Sequence, residues 1–246
     1  MKMLDLFSGI GGISLAADWA GIETVAFCEI EPFNQKVLNK HWPTVPIFSD
    51  IRTLTKQSLV ERGVDVGTID VVAGGFPCQP YSVAGKQKGK EDDRDLWPEM
   101  FRIIEEIRPT WVVGENVANF ANMELDRTLF NLESIGYQGK SFIIPACSVG
   151  AEHRRDRVFV VAYSDSKFME RSFKKKVQGE YSLQRKFHTR SITQIRDRSD
   201  SFEPKLLRNF NGIPNGVDRL RSLGNAVVPG QIYPIFEAIA KIEGLL

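Results

Sequence analysis

Lys2-Met3-Leu4-Asp5-Leu6-Phe7-Ser8-Gly9-Ile10-Gly11-Gly12, at the start of a 246-residue chain, reads as a short apolar strand that runs into a glycine turn. The next residues, from about Ile13 to Ala20, form an amphipathic helix, and Gly21 ends it. Thr24-Val25-Ala26-Phe27-Cys28 is a second strand that closes on Glu29-Ile30-Glu31. Strand, turn, helix and strand make a βαβ unit. Such units build a doubly wound, mostly parallel sheet with ligand sites at the carboxyl ends of the strands.

The alternation continues down the chain. A helix from about Pro32 to Asn39 precedes an extended piece, Val45-Pro46-Ile47-Phe48, that delivers Asp50. Ile69-Asp70-Val71-Val72-Ala73 is a strand that leads into Gly74-Gly75-Phe76-Pro77-Cys78-Gln79-Pro80-Tyr81-Ser82, where glycines end the strand and a proline turns the chain to present Cys78. From Gln79 to about Pro98 there is no apolar periodicity, and so long a loop is expected to serve as a moving lid. Met100, Ile103, Ile104 and Ile107 mark a helix that Pro109 stops, and Trp111 to Gly114 is a buried strand closing on Glu115-Asn116-Val117. A helix from about Leu125 to Ile135 leads to two β-rich runs, Ser141 to Pro145 and Val158 to Ala162. These are expected to pair antiparallel, making the sheet mixed. The last helix, about Gln231 to Ile242, lines Ile232, Ile235, Ile239 and Ile242 along one core face.

Composition excludes several classes. At 42% hydrophobic and 26% charged the chain buries a full core, unlike a disordered or fibrous sequence. No apolar run nears the roughly 18 residues of a membrane span, and Met1-Lys2-Met3-Leu4-Asp5 lacks a signal-peptide layout, so a cytoplasmic location without membrane contact is expected. Three cysteines without CxxC spacing suggest neither a disulfide framework nor a zinc site, and no metal is expected. Cys28 and Cys147, in apolar surroundings, are expected to be small buried hydrophobes. Charge is uneven: Ser164 to Gly216 holds 12 Lys or Arg against 6 Asp or Glu, whereas the rest holds 20 against 25. A basic segment on an acidic body fits a phosphate backbone as partner, or a solvated loop.

The first turn lets backbone approach a ligand closely, but Ser14 stands where a nicotinamide fingerprint needs glycine. Acidic residues at the following strand ends point elsewhere. Glu29 can accept hydrogen bonds from two ribose hydroxyls and Asp50 one from an adenine amino group, which together describe an adenosyl pocket.

Asp5 to Gly12, Gly75 to Ser82, Glu115-Asn116-Val117, the Arg155-x-Arg157 pair and Gly224-Asn225-x-Val227-Val228-Pro229 together resemble the ordered motif series of the DNA cytosine-5 methyltransferases. His153 stands where that family usually has glutamine. The resemblance implies an α/β fold with a Rossmann-like methyltransferase sheet, S-adenosyl-L-methionine as cofactor and S-adenosyl-L-homocysteine as product. It extends the cofactor pocket to Phe7, Gly9, Gly11, Gly12 and Ile30, then to Ile51, Gly75, Pro77, Leu96 and Asn225. It also implies a catalytic and cofactor-binding domain over 1–163, a small target-recognition lobe over 164–216, and a segment over 217–246 that returns to the first.

The chemistry explains why those residue types are needed. Cytosine C5 is a poor nucleophile, so a thiolate, Cys78, must first add at C6 and later leave. Glu115, its pKa held up by burial, can hydrogen-bond or protonate N3, and Arg155 and Arg157 are assigned as a pair to hold O2. The target base must be extruded from the duplex. Gln79, Ser82, Lys86, Lys88 and Arg94 in the lid are expected to contact DNA, while 164–216 reads the sequence. The expected partner is double-stranded DNA, with the enzyme nucleoid-associated when bound; a monomer is expected, and a cognate restriction endonuclease is a partner the resemblance admits. The rivals are the same chemistry on structured RNA, a silent DNA-binding relative, and an NAD-dependent oxidoreductase.

Overall fold

The computed structural model describes residues 1–77, 95–166 and 216–246. Among them, seven strands form one sheet in the order β3-β2-β1-β4-β5-β7-β6. The strands are β1 (Lys2–Leu6), β2 (Glu23–Cys28), β3 (Ile47–Phe48), β4 (Ile69–Gly74), β5 (Trp111–Val117), β6 (Tyr137–Pro145) and β7 (Asp156–Ser164). β1 to β5 pair in parallel, and β7 lies antiparallel between β5 and β6. The helices are α1 (Gly12–Trp19), α2 (Pro32–His41), α3 (Lys56–Glu61), α4 (Trp97–Ile107), α5 (Leu125–Ser134), α6 (Gly216–Asn225) and α7 (Pro229–Glu243). The sheet is mixed and mostly parallel, as the apolar runs and the antiparallel pair imply.

Strand alternation splits the core into two layers. Met3, Val71, Ala73, Val113 and Phe159 point to one face, where they meet Ile13, Ala16 and Ala17 of α1 and Ile232, Phe236 and Ile239 of α7. Leu4, Leu6, Val72 and Val112 point to the other, against Met100, Ile103 and Ile104 of α4 and Leu132 of α5. Local signals set the helix ends. Pro32 and Pro229 open α2 and α7 at positions where a missing N–H costs nothing, and Thr55 and Ser58 form a reciprocal capping box for α3. The Trp111 indole donates to Glu243 at 2.9 Å, fastening the end of α7 to the start of β5.

Two expectations are corrected. Cys147 is exposed, because a 3-10 turn over Ala146–Val149 buries Ala146 and turns the cysteine outward, whereas Cys28 is buried at the end of β2. Ile242 is also exposed, since the last turn of α7 runs past the layer that covers Ile232, Ile235 and Ile239. Neither α3 nor α6 was expected; α3 is only six residues long and α6 contains Gly224 near its end. Among the described residues no helix is long and apolar enough to cross a membrane.

Candidate active site

The carboxyl ends of the parallel strands converge on one edge of the sheet, and the first turn is wound tightly there. Phe7, Gly9 and Gly11 have φ of 54°, 55° and 86°, all in the left-handed region. Glycine adopts that region at no steric cost; Phe7 does so at a cost of about 1 kcal/mol or more. Ser8 N–H donates to Cys28 O at 3.1 Å, and Gly9 N–H donates to Glu29 Oε2 at 2.6 Å. Glu31 N–H donates to Glu29 Oε1 at 2.7 Å. Glu29 therefore ties the β1 turn to the β2 turn with one backbone donor on each oxygen, and each oxygen keeps a second lone pair for an outside hydroxyl. Ile30, next to it, is 60% exposed. An exposed apolar side chain thus stands next in sequence to a buried carboxylate.

Beneath the turn lies a buried polar chain. Ser14 Oγ donates to Asp5 Oδ2 at 2.6 Å and accepts from Thr24 Oγ1 at 2.9 Å. Asp5 is fully buried, Oδ1 has no partner, and burial lifts its carboxyl from 3.8 to about 7.

A second cluster joins β4, β5 and β7. Glu115 sits within β5 and is 7% exposed, and its Oε1 lies 2.7 Å from Arg157 Nε. Arg157 stands opposite Val117 in the β5–β7 register, so the pair is a diagonal contact on one face of the ladder. Burial lifts the Glu115 carboxyl from 4.5 to about 7, and the opposing pull of Arg157 and Arg155 is smaller. A methyl group at Gly75 would come within 2.8 Å of Glu115 Oε2, so a side chain there would force the carboxylate to move. Asn116 Nδ2 donates to Phe76 O at 3.1 Å, and the Phe76 ring packs on Trp97 and Phe120 with centroids 5.1 and 5.4 Å away. The residues just before Cys78 are thus held from three sides.

Arg155, expected to act with Arg157 as a pair, lies close enough for its charge to act on Glu115, but it is held differently. Its Nη2 donates to Gly224 O at 2.6 Å and to Ala226 O at 2.8 Å, at the end of α6 and just beyond. Burial, and then the charge of Arg157, hold its pKa below the ordinary arginine range. Of the other expected pocket residues, Ile51 is buried, Leu96 is half-buried against the core, and Asn225 is exposed. Asp50 accepts the Arg52 N–H at 2.9 Å beyond the end of β3. Gly12 opens α1 against Val227, and Pro77 is exposed at the end of the described β4 turn. His153 is exposed as well. Cys78, Gln79, Ser82, Lys86, Lys88 and Arg94, and nearly all of the 164–216 segment, lie outside the described residues. Asn116 and Phe76 are quoted only within motifs and Ser14 only as a departure from a nicotinamide fingerprint, so none of them carries a site role in the sequence; Asn116 follows Glu115 in its motif. Among the described residues no group of His, Cys, Asp and Glu could hold a metal ion.

The arrangement can bind an adenosyl group at the β1–β2 turns and present a protonatable carboxyl with a guanidinium to a polar heterocycle. The chain is 34% identical over 171 residues to the type II methyltransferase M2.BsuMI of Bacillus subtilis, covering 66% of this chain and 42% of the relative. It is 30% identical over 168 residues to the type II methyltransferase M.HhaI of Haemophilus parahaemolyticus, covering 66% and 49%. The chain thus spans about half the length of these relatives. Among solved structures, a prophage-encoded E. coli protein described as a DNA modification methyltransferase superposes with a TM-score of 0.59 at 26% identity, covering 68% of this chain and 48% of that one. The profile of C-5 cytosine-specific DNA methylases matches residues 1–208, and the chain belongs to that family.

Proposed function

We propose that the chain transfers a methyl group from S-adenosyl-L-methionine to C5 of a flipped-out cytosine in double-stranded DNA, through a covalent bond between Cys78 and C6. The observation that carries this reading is the buried Glu115–Arg157 pair packed against Gly75, three residues before Cys78 in the chain. It supplies a proton with a pKa near neutrality and a fixed positive charge beside the segment that bears the thiol.

The residues present fit the cofactor. Glu29 retains a lone pair on each oxygen, Ile30 offers an exposed apolar surface for a purine, and the Gly9 turn leaves open space where a side chain would stand. When bound, S-adenosyl-L-methionine supplies an electrophilic methyl group on sulfur. Glu29 holds the ribose hydroxyls, and Asp50 accepts from the adenine amino group. Cys78, as thiolate, adds to cytosine C6 while Glu115 delivers its proton to N3, so no full charge builds on the ring. Arg157 serves O2, and its bond to Glu115 keeps both groups aimed at one edge of the base. C5 takes the methyl group; its own proton passes to water, N3 returns its proton to Glu115, and Cys78 departs as thiolate.

Residues 164–216 are proposed to read the DNA sequence, with 1–163 and 217–246 forming the catalytic body. Gln79, Ser82, Lys86, Lys88 and Arg94 are proposed to grip DNA around the extruded base. The names of the relatives support a restriction–modification setting, in which a cognate endonuclease is the partner. The test is incubation with S-adenosyl-L-methionine and random-sequence duplexes in which 5-fluorocytosine replaces cytosine. A denaturation-resistant protein–DNA adduct is expected from the native chain and none from Cys78→Ala, which should still bind DNA. Methyl transfer persisting in Cys78→Ala, or labelling of structured RNA and not of DNA, overturns the reading.

A further inference from the structure

Arg155 is tied into the fold differently from its neighbour Arg157. Its Nη2 forks between Gly224 O at 2.6 Å and Ala226 O at 2.8 Å, on either side of Asn225. Its own carbonyl accepts from Gln231 Nε2 at 3.0 Å, and the same amide nitrogen donates to Ile144 O at 2.6 Å. Gln231 itself is fully buried. The Arg155 backbone has φ 34°, a strained value for a residue with a side chain, which the surrounding bonds hold in place. The segment it grips is fixed at two further points. Ser222 Oγ donates to Asn34 Oδ1 at 2.6 Å, and Val227 O lies 2.5 Å from where a Cβ on Gly12 would stand. Two residues beyond Arg155, Arg157 pairs with Glu115.

We propose that Arg155 is a positioning residue, not an O2 ligand: it braces the Asn225 segment beside the first glycine turn and so couples cofactor affinity to the strand start that carries Arg157. The inference rests on the methyltransferase reading, in which Asn225 borders the cofactor.

The experiment is calorimetric titration of S-adenosyl-L-homocysteine into the full chain without DNA, for the native protein, Arg155→Ala, Arg155→Gln, Arg157→Ala, Asn225→Ala and the Arg155→Ala/Asn225→Ala double variant. Both Arg155 variants are expected to bind about 10-fold or more weakly, within the usual range of coupling between sites. Arg157→Ala should bind within about twofold of native, and Asn225→Ala should cost little more in the Arg155→Ala background, as for residues acting through one contact. Stoichiometry separates lost affinity from lost folded protein, and Arg155→Gln, which keeps a donor, serves if Arg155→Ala does not fold. Native affinity in both Arg155 variants together with lost methyl transfer overturns the proposal and makes Arg155 a catalytic residue. Full additivity with Asn225→Ala also overturns it. A native chain that binds neither S-adenosyl-L-homocysteine nor S-adenosyl-L-methionine removes the methyltransferase reading itself, a different failure from native binding that the variants share.

Discussion

Glu115 Oε1 lies 2.7 Å from Arg157 Nε, with side chains only 9% and 13% exposed, yet burial outweighs the guanidinium and lifts the carboxyl to about 7. A carboxylate beside arginine ordinarily titrates low; here desolvation of the charged form is the larger effect. Near neutral pH the group can therefore give a proton and take it back, which the proposed attack at C6 and later release of the thiol would both require.

Glu115→Gln should remove that exchange while keeping the volume. Methyl transfer is expected to fall by about 10²-fold or more, the usual contribution of general acid–base catalysis, with cofactor affinity kept. The same variant changes stability against pH. The folded chain binds this proton more tightly than the unfolded chain does, so Glu115 contributes stability below 4.5 that is lost as pH rises to about 7. Thermal melts across that window should show a shallower loss in the variant. Unchanged melts and unchanged transfer would both count against the assignment.

Gly75→Ala tests the geometry without touching a titratable group. The new methyl would stand 2.8 Å from Glu115 Oε2, and the carboxylate would have to swing away from its place beside Arg157. Methyl transfer should drop to the level of Glu115→Gln, while the melting temperature moves less than for a core truncation. Full activity in Gly75→Ala would show that the Glu115 position is not set by this contact.

Much of this was legible in the sequence because it is local. The β1 turn follows from the spacing of Gly9 and Gly11, both with positive φ, and the strands follow from short apolar runs bounded by glycine and proline. Glu115 was legible as an acid at the end of an apolar strand. What was not legible depends on contacts far apart in the chain. Arg155 and Arg157 lie two residues apart and look alike, but one reaches Gly224 and Ala226 and the other Glu115, a choice made by the docking of residues 222–231. Cys147 read as buried from its apolar neighbours, and only the 3-10 turn after β6 shows why it faces outward. The two backbone donors that fix Glu29 come from Gly9 and Glu31, and no spacing rule reveals the first.

Asp5 offers a separate pH test, away from the proposed chemistry. Its Oδ1 is buried without a partner, and its carboxyl, raised from 3.8 to about 7, binds a proton more tightly in the fold than in the unfolded chain. It should therefore contribute stability at low pH that is lost as pH climbs through about 7. Asp5→Asn keeps an oxygen for Ser14 and cannot ionise, so its denaturant midpoint should fall less than native between pH 5 and pH 8. An identical fall would mean that a water or the adjoining loop already satisfies Oδ1 in solution.

Gly12→Ala probes the contact between the first turn and the C-terminal segment from the side opposite Arg155. A Cβ at this position would stand 2.5 Å from the Val227 carbonyl oxygen, a backbone atom that cannot rotate aside as a side chain would. The helix itself should accept alanine readily, since alanine is the better helix former. The strain then falls on residues 225–228, which must lift from α1 and pull on the Arg155 fork at Gly224 and Ala226. Binding of S-adenosyl-L-homocysteine is expected to weaken in Gly12→Ala by about 10-fold, with helical circular dichroism unchanged. In an Arg155→Ala background, where the fork is already gone, the same substitution should cost less. If it costs the same in both backgrounds, the glycine contact and the arginine fork hold the Asn225 segment independently.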